Sequence, residues 1–362
     1  MKNYTAFAKV YDLFMEEVPY DEWAQLILSL LAKYGISPTA PEDLQDEDRQ
    51  SYAGNSSEQN RWNQSGNSEY SSGADSSKLS DDEMDRKLLH IFAGSESGER
   101  VGLGNLRYTS QKVKKEPETD KPHIADLGCG TGAMTRILAA YGYAMTGIDL
   151  SADMLIEAQR ISEEAGFTIR YLREDMSRLV LTQKQNAFVS VCDSVNYLIT
   201  TQDLENLFSS VSRQLLPGGI FVFDFNTLHK YRDIIGDATI AEDRGDAAFI
   251  WDNVFREEDS INDCMLTLFL KDEKRSRRTA DPLYQRFQEQ HLQRGYLPEE
   301  VRAAAETAGL YFLEMLDTDT GGPVTEMTER VTMVVGDDEA RKFTLLEEHT
   351  PEVIMLEDHE AD

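Results

Sequence analysis

Residues 123–138 read HIADLGCGTGAMTRIL: an apolar run, then Gly128, Gly130 and Gly132 with one residue between each, then a helix-forming stretch. Where a strand turns sharply into a helix, glycine lets backbone amides approach a ligand closely, and the helix N-terminus behind them favours an anionic group. Tight turns alone account for many glycine clusters, so the loop needs company to carry meaning. Asp149 supplies it. It ends the next apolar run, in GIDLS, where a carboxylate can accept hydrogen bonds from both hydroxyls of a ribose. Helix capping is the competing use, but Ser151 follows and can cap in its place, which leaves Asp149 available to a ribose.

The loop spacing selects among adenosine ligands. A dinucleotide loop reads GxGxxG, its third glycine allowing a helix to pack beneath a pyrophosphate; here the run is GxGxG, with Asp126 just before it. A carboxylate there repels a pyrophosphate and suits an ammonium. S-adenosylmethionine carries adenosine, an α-amino group, a carboxylate for the loop amides and a sulfonium.

These residues need a scaffold, and the apolar pattern predicts one. From residue 122, short apolar runs alternate with helical periodicity, as in βαβ units: strands HIADL, AMTGID, TIRYL, AFVSVC and GIFVFDF are separated by amphipathic helices, making an open doubly wound sheet. FIWDNVF, CMLTLFL and LYQRFQEQHLQ follow with no helix between them and predict a small antiparallel flap. Pro298 opens another helix that stops at Gly309, and LYFLEML and RVTMVVG add two strands. At the other end, Tyr4, Phe7, Tyr11 and Phe14 recur at helical steps, as do Trp23, Leu26, Ile27, Leu30 and Leu31, predicting two helices broken at Pro19. Between them and the sheet lies a stretch rich in Ser, Asn, Gln, Asp and Glu, too polar to offset its ordering entropy, with one short amphipathic piece, SDDEMDRKLLHIF, capped by Ser80. The expected organisation is 1–35 helical lid, 36–120 disordered insertion, 121–245 ligand-binding core, 246–293 flap, 294–337 remainder of the core and 338–362 acidic tail.

The sequence closely resembles the class I S-adenosylmethionine-dependent methyltransferases, on DLGCGTG at 126–132 together with GIDLSADML at 147–155. The resemblance is specific over about 121–225 and looser over the N-terminal helices and 226–337. It implies an α/β, Rossmann-like fold: a seven-stranded, mostly parallel sheet whose last strand is antiparallel, with S-adenosylmethionine over the C-terminal strand ends. In matching positions it places Asp126, Gly128, Cys129, Gly130 and Gly132 around the methionine part of the cofactor, Asp149 and Leu150 at the ribose, and Met154 against adenine. Asp175 and Met176, in REDMS, match the pair that meets the adenine edge. After the fourth strand, in CDSVNYL, Asp193 is placed at the sulfonium end, counted both as a cofactor contact and as a catalytic candidate. The N-terminal helices resemble the lid of a small-molecule-like branch, with Tyr11 facing the methionine moiety and Tyr20 and Trp23 closing the site. Core packing is the competing use of that stripe and of Met154.

An oxygen or nitrogen acceptor needs a proton removed, and the candidates at strand ends are Asp193, Asn226, His229 and Tyr231, with Trp251, Phe255, Tyr284 and His291 of the flap as walls of an acceptor pocket. Neither a Pro-Cys pair nor an Asn/Asp-Pro-Pro-Tyr run accompanies CDSVNY, which argues against the commonest nucleic-acid chemistries. Nor does the charge favour a polyanion: 66 acidic against 36 basic residues leave a net −30. Cysteine and histidine spacing offers no metal site. No run reaches the ~18 apolar residues of a membrane span and the first residues lack a signal-peptide pattern, so the expectation is a cytoplasmic protein. Three functions stay open: methylation of a small molecule, methylation of tRNA or another macromolecule, and a non-catalytic adenosine-ligand binder or nicotinamide-dependent oxidoreductase.

Overall fold

A computed structural model describes residues 7–15, 18–38, 121–279 and 281–337. The polar insertion beyond residue 38, its amphipathic piece, Tyr4 and the acidic tail lie outside the described residues. Among the described residues eleven strands form two sheets: β1 His123–Leu127, β2 Ala144–Asp149, β3 Arg170–Arg173, β4 Gln185–Ser190, β5 Leu215–Asn226, β6 Thr239–Asp243, β7 Ala247–Arg256, β8 Ile261–Lys271, β9 Tyr284–Arg294, β10 Tyr311–Asp317 and β11 Arg330–Gly336. The larger sheet has the order β10-β11-β5-β4-β1-β2-β3. β11 runs antiparallel to both its neighbours, and the pairings among β1 to β5 are parallel. The chain winds outward from β1 to β3, then restarts at β4 on the other side, so β1 and β4 part at their C-terminal ends and open the crevice where doubly wound sheets bind ligands.

Among the described residues the helices against the sheet and crevice are α1 Tyr11–Phe14, α2 Tyr20–Lys33, α3 Ala133–Ala140, α4 Ala152–Glu164, α5 Thr201–Gln214 and α6 Pro298–Thr307. Ser151 caps α4 by accepting from the Met154 amide at 3.3 Å, and Thr200 caps α5 through the Asp203 amide. On one face Leu204, Leu207, Phe208 and Val211 of α5 and Val301 and Ala305 of α6 pack on Phe188, Phe221 and Phe223. On the other, Trp23, Ile27, Leu30 and Leu31 of α2 and Met134 and Leu138 of α3 pack on Ile124, Val189 and Val222. Each such buried side chain contributes about 1.5–3 kcal/mol, which fixes the sheet as the rigid platform of the molecule.

The flap has four strands, one more than the sequence predicts: β6 pairs with β7 ahead of β8 and β9. TIAED shows no apolar alternation, and only Ile240 in it is buried, so its pairing comes from its neighbour rather than from its own pattern. Two contacts tie the N-terminal helices across the crevice. Phe14 packs edge-on against Phe249 of the flap at 4.9 Å between centroids, and Asp12 accepts a 2.6 Å hydrogen bond from Thr131 in the glycine loop. Far from the crevice, the chain leaves α2 with the Ile36 carbonyl bonded to the Tyr143 hydroxyl at 2.9 Å, and it returns with the Pro122 carbonyl accepting from the Ala144 amide at 3.0 Å.

Candidate active site

The glycine loop floors a cavity of about 880 Å³, within the range that encloses small ligands. Tyr11, Asp126, Gly128, Cys129, Gly130, Asp149, Leu150, Met154, Asp175 and Met176 all line it. Gly132 does not, and its role is different. At φ +80° a side chain is strained, and a Cβ there would stand 2.4 Å from the Tyr171 hydroxyl. Gly128, at φ +72°, similarly yields to Ser194, 2.5 Å from where its Cβ would be, whereas Gly130 faces open space. The outer glycines therefore let the loop pack, and the central one leaves room for a ligand.

Asp126 and Asp149 stand beside the loop in this cavity, whose wall also carries Asp153, Glu174, Asp175 and Asp203 against Arg173 and Arg178. Asp126 on β1 is buried: its Oδ2 accepts from Thr135 at 2.5 Å and its Oδ1 has no hydrogen-bond partner. Burial pushes its carboxyl up to about 7. Asp149 is not left over for a ribose as the sequence suggests. Ser151 does cap α4, but Asp149 also binds the chain, accepting from Gly130 N at 2.9 Å and Ser151 N at 2.8 Å. It holds the loop against β2 while lining the cavity. Burial raises its carboxyl too, against these amides. Neither carboxylate has an ion-pair partner among the described residues, so the cavity is an electronegative site suited to a cationic ligand. Asp175 likewise has a structural task, accepting from the Ser177 amide at 2.9 Å and the Ser177 hydroxyl at 2.7 Å.

After β4 the backbone takes two left-handed residues in succession, Cys192 at φ 59° and Asp193 at φ 52°. Asp224 on β5 secures this turn by accepting from both amides, Cys192 N at 3.1 Å and Asp193 N at 2.8 Å. The turn separates its two side chains. Cys192 lines the large cavity, while Asp193 lines only a second, smaller one of about 90 Å³, enclosed by α1, α2, the turn and the flap. Asp193 thus lies away from the predicted cofactor contact. Its carboxylate pairs with Arg330 at 3.2 Å and accepts from Gln293 at 2.5 Å. Tyr11, Cys192 and Tyr197 line both cavities, which therefore adjoin at the end of β4.

Among the proton-accepting candidates, Asn226 and Tyr231 line the small cavity and His229 lines neither. His229 Nδ1 sits 2.8 Å from Asp233 Oδ2, one turn along. Of the flap residues, Trp251 and His291 line the small cavity; Phe255 and Tyr284 do not, because Phe255 shares the parity of Phe249 and Trp251 but sits at the far end of β7, and Tyr284 opens β9 on the parity opposite to His291 and Gln293.

Residues 124–219 match a family model described as a methyltransferase domain. The chain is 32% identical over 213 residues to a Bacillus subtilis protein named "Putative methyltransferase YqeM", covering 59% of this chain and 83% of that one. A similarly named protein of Geobacillus is 28% identical over 227 residues, 63% of this chain and 89% of that one. Among solved structures, an S-adenosylmethionine-dependent methyltransferase from Clostridium acetobutylicum superposes with a TM-score of 0.54 at 30% identity, over 59% of this chain and 83% of that one. The chain belongs to the class I S-adenosylmethionine-dependent methyltransferases. The CcbJ methyltransferase from Streptomyces caelestis, at 17% identity and a TM-score of 0.51, shares the fold.

The methyltransferase's cofactor is S-adenosylmethionine, and the large cavity fits it. The orphaned Oδ1 of Asp126 suits an ammonium, the Asp149 carboxylate suits a ribose, and Gly130 leaves open space beside them, whereas the expected carboxylate on the loop amides is not supported, since Gly128 N and Cys129 N donate to the Ile148 carbonyl and Gly130 N to Asp149. Sequence reasoning placed Asn196 near the end of β4 but assigned no bracing role to it or to the other residues that hold the methyltransferase's crevice together. Asn196, fully buried, donates to the Asn226 carbonyl at 2.9 Å and the Arg294 carbonyl at 2.7 Å and accepts from Asn226 N at 2.9 Å, locking the flap to the sheet. Arg330, under Trp23 with its guanidinium 4.9 Å from the ring centroid, joins Asp193 to Asp224, 3.3 Å away. Burial raises Asp193 against the pull of Arg330. Nearby Lys230 is buried 4.0 Å from Glu329, and burial lowers its amine to about 8. These partners come from strand ends far apart in the chain, and no local spacing announces them.

Proposed function

We propose that this methyltransferase moves the methyl group of S-adenosylmethionine to a nitrogen or oxygen of a small-molecule acceptor seated in the smaller cavity. The observation that carries this reading is the adjacency of the two cavities at Tyr11, Cys192 and Tyr197. A donor in one and an acceptor in the other meet at the strained turn after β4. When bound, the cofactor supplies an electrophilic methyl group on a sulfonium. The chain supplies alignment, an environment poor in water and a route for the acceptor's proton.

In this reading Asp126 takes the ammonium, Asp149 takes the ribose, and Met154, Asp175 and Met176 take adenine; the amides of Gly128, Cys129 and Gly130 are already committed to the Ile148 carbonyl and to Asp149 and brace the loop instead. Tyr11 closes the methionine end, held in place by the Asp12–Thr131 hydrogen bond, one residue from the loop glycines. Asp193 acts from the acceptor side, neutralised by Arg330. Walls from Phe14, Trp23, Phe249 and Trp251 give the small cavity room for a compact group and none for a polymer backbone. The −30 net charge also opposes a nucleic-acid acceptor. No helix among the described residues is long and apolar enough to cross a membrane. The test is to incubate the purified chain and methyl-labelled cofactor separately with the small-molecule fraction and the RNA fraction of a bacterial extract. Label in the small-molecule fraction is expected; label confined to RNA overturns the acceptor class. Calorimetry showing NADH binding but none for S-adenosylmethionine overturns the donor.

A further inference from the structure

Strand β9 presents an unusual inner face to the small cavity. Its period-2 alternation turns Glu289, His291 and Gln293 inward, where apolar residues would ordinarily sit, and all three are buried. Gln293 is accounted for by Asp193. The other two continue into the crevice: His291 Nδ1 lies 3.1 Å from the Tyr197 hydroxyl, and its Nε2 lies 3.6 Å from Glu289 Oε2. Glu289 is itself anchored by the Phe7 amide, 3.3 Å from its Oε1, at the start of the lid. At 3.6 Å the Glu289 carboxylate is outside hydrogen-bond distance of Nε2, and its charge favours the imidazole proton on that nitrogen, the tautomer in which the Nδ1 lone pair accepts from Tyr197. Both Tyr197 and His291 line the small cavity, and Tyr197 also lines the large one.

We propose that Tyr197 and His291, with Glu289 behind them, relay the acceptor's proton during methyl transfer. The inference rests on the reading that the small cavity holds the acceptor. As the acceptor's N or O atom bonds to the methyl carbon and the carbon–sulfur bond breaks, its proton passes to the Tyr197 oxygen. Tyr197 gives its own proton to His291 Nδ1. The sulfonium becomes a neutral thioether, and its positive charge reappears on the imidazolium, facing Glu289. The charge and proton counts balance with no further reactant. Tyr197 touches the acceptor; His291 stores the proton through it and Glu289 positions the ring. The other charged groups on this cavity, Asp193 and Arg330, are already paired with each other. Asn226, whose Oδ1 has no hydrogen-bond partner, offers an acceptor for an N–H or O–H of the incoming molecule.

The test uses the full chain, methyl-labelled S-adenosylmethionine and the small-molecule fraction of a bacterial extract, with label incorporation followed over a pH series. Tyr197→Phe keeps the ring and removes only the relay oxygen; His291→Asn keeps a hydrogen-bonding group and removes the proton store. Both are expected to slow labelling about 100-fold or more, the scale of general base catalysis, while His291→Asn binds the cofactor as the parent does. The deficit narrows as pH rises, because the acceptor then loses its proton without help. A residue with only a packing role gives no such narrowing. If the parent labels nothing, the reading of the acceptor cavity fails and the relay with it. If the parent labels a product and both variants match its rate, or lag equally at every pH, the relay alone is refuted.

Discussion

Replacing Asp126 by Asn separates what the carboxylate does for the fold from what it does for the ligand. Asp126 is 1% exposed, and burial lifts its carboxyl from 3.8 to about 7 in the cofactor-free protein. A group whose value is raised by folding helps stability below its unfolded value, near 4, and that help is lost as pH rises through the folded value, near 7. A shift of about three units at 1.36 kcal/mol each puts the cost of ionising Asp126 at up to about 4 kcal/mol above pH 7. Asparagine never ionises and keeps an oxygen for Thr135. The cofactor-free variant is therefore expected to match its parent near pH 4 and to exceed it by up to about 4 kcal/mol at pH 8, worth about 10 °C in melting temperature for a chain of this size. Its affinity for S-adenosylmethionine should fall by about 10- to 100-fold through loss of a charge-assisted hydrogen bond. The parent should also bind more tightly by about tenfold per pH unit as pH rises toward 7, since each ammonium displaces one proton; the variant should lose that slope. Thermal unfolding and calorimetry over a pH series measure both. A variant less stable than its parent at pH 8, or one that keeps the parent's affinity and slope, would show that Asp126 is a packing residue with no charge role.

Three further outcomes are expected. Gly132→Ala forces a Cβ against Tyr171 at a left-handed φ and should cost about 2–4 kcal/mol in urea unfolding. Asp149→Ala removes the partner of the Gly130 and Ser151 amides together with the ribose contact, and calorimetry should record at least a ~10-fold loss of S-adenosylmethionine affinity. Arg330→Met leaves Asp193 and Asp224 buried without their cation and should destabilise by about 3–5 kcal/mol at neutral pH, with the loss shrinking in acid as Asp193 protonates.

Elements whose signal is local were legible from the chain alone. HIADL, AMTGID and RVTMVVG are strands to the residue, because a buried parallel or central strand is a short apolar run whose edges are sharp. The donor half of the site was legible for the same reason: Gly128, Gly130, Asp126, Asp149 and Met154 sit at fixed offsets from strand ends, and the structure brings them to one cavity. The acceptor half was not. Its polar groups meet through tertiary placement: Asp193 finds Arg330 from β11, Tyr197 finds His291 from β9, and Asn196 finds Arg294. His229, suggested by its place after a strand end, meets Asp233 one turn along and lines neither cavity. Polar residues at alternate positions of YQRFQEQHLQR were the available clue, since a strand that buries Glu, His and Gln on one face must provide partners for all of them.

Ile36 and Pro122 lie far apart in the chain yet bond to consecutive residues, Tyr143 and Ala144. That junction lies at the start of β2, about 17 Å of strand away from Asp149 and the crevice. Closing a longer loop costs little, about 0.6 kcal/mol for each doubling of its length. The register between the lid and the glycine loop is held by Phe14 on Phe249 and Asp12 on Thr131, so a change in the number of residues between 38 and 121 is expected to leave the methyl-transfer machinery as it is.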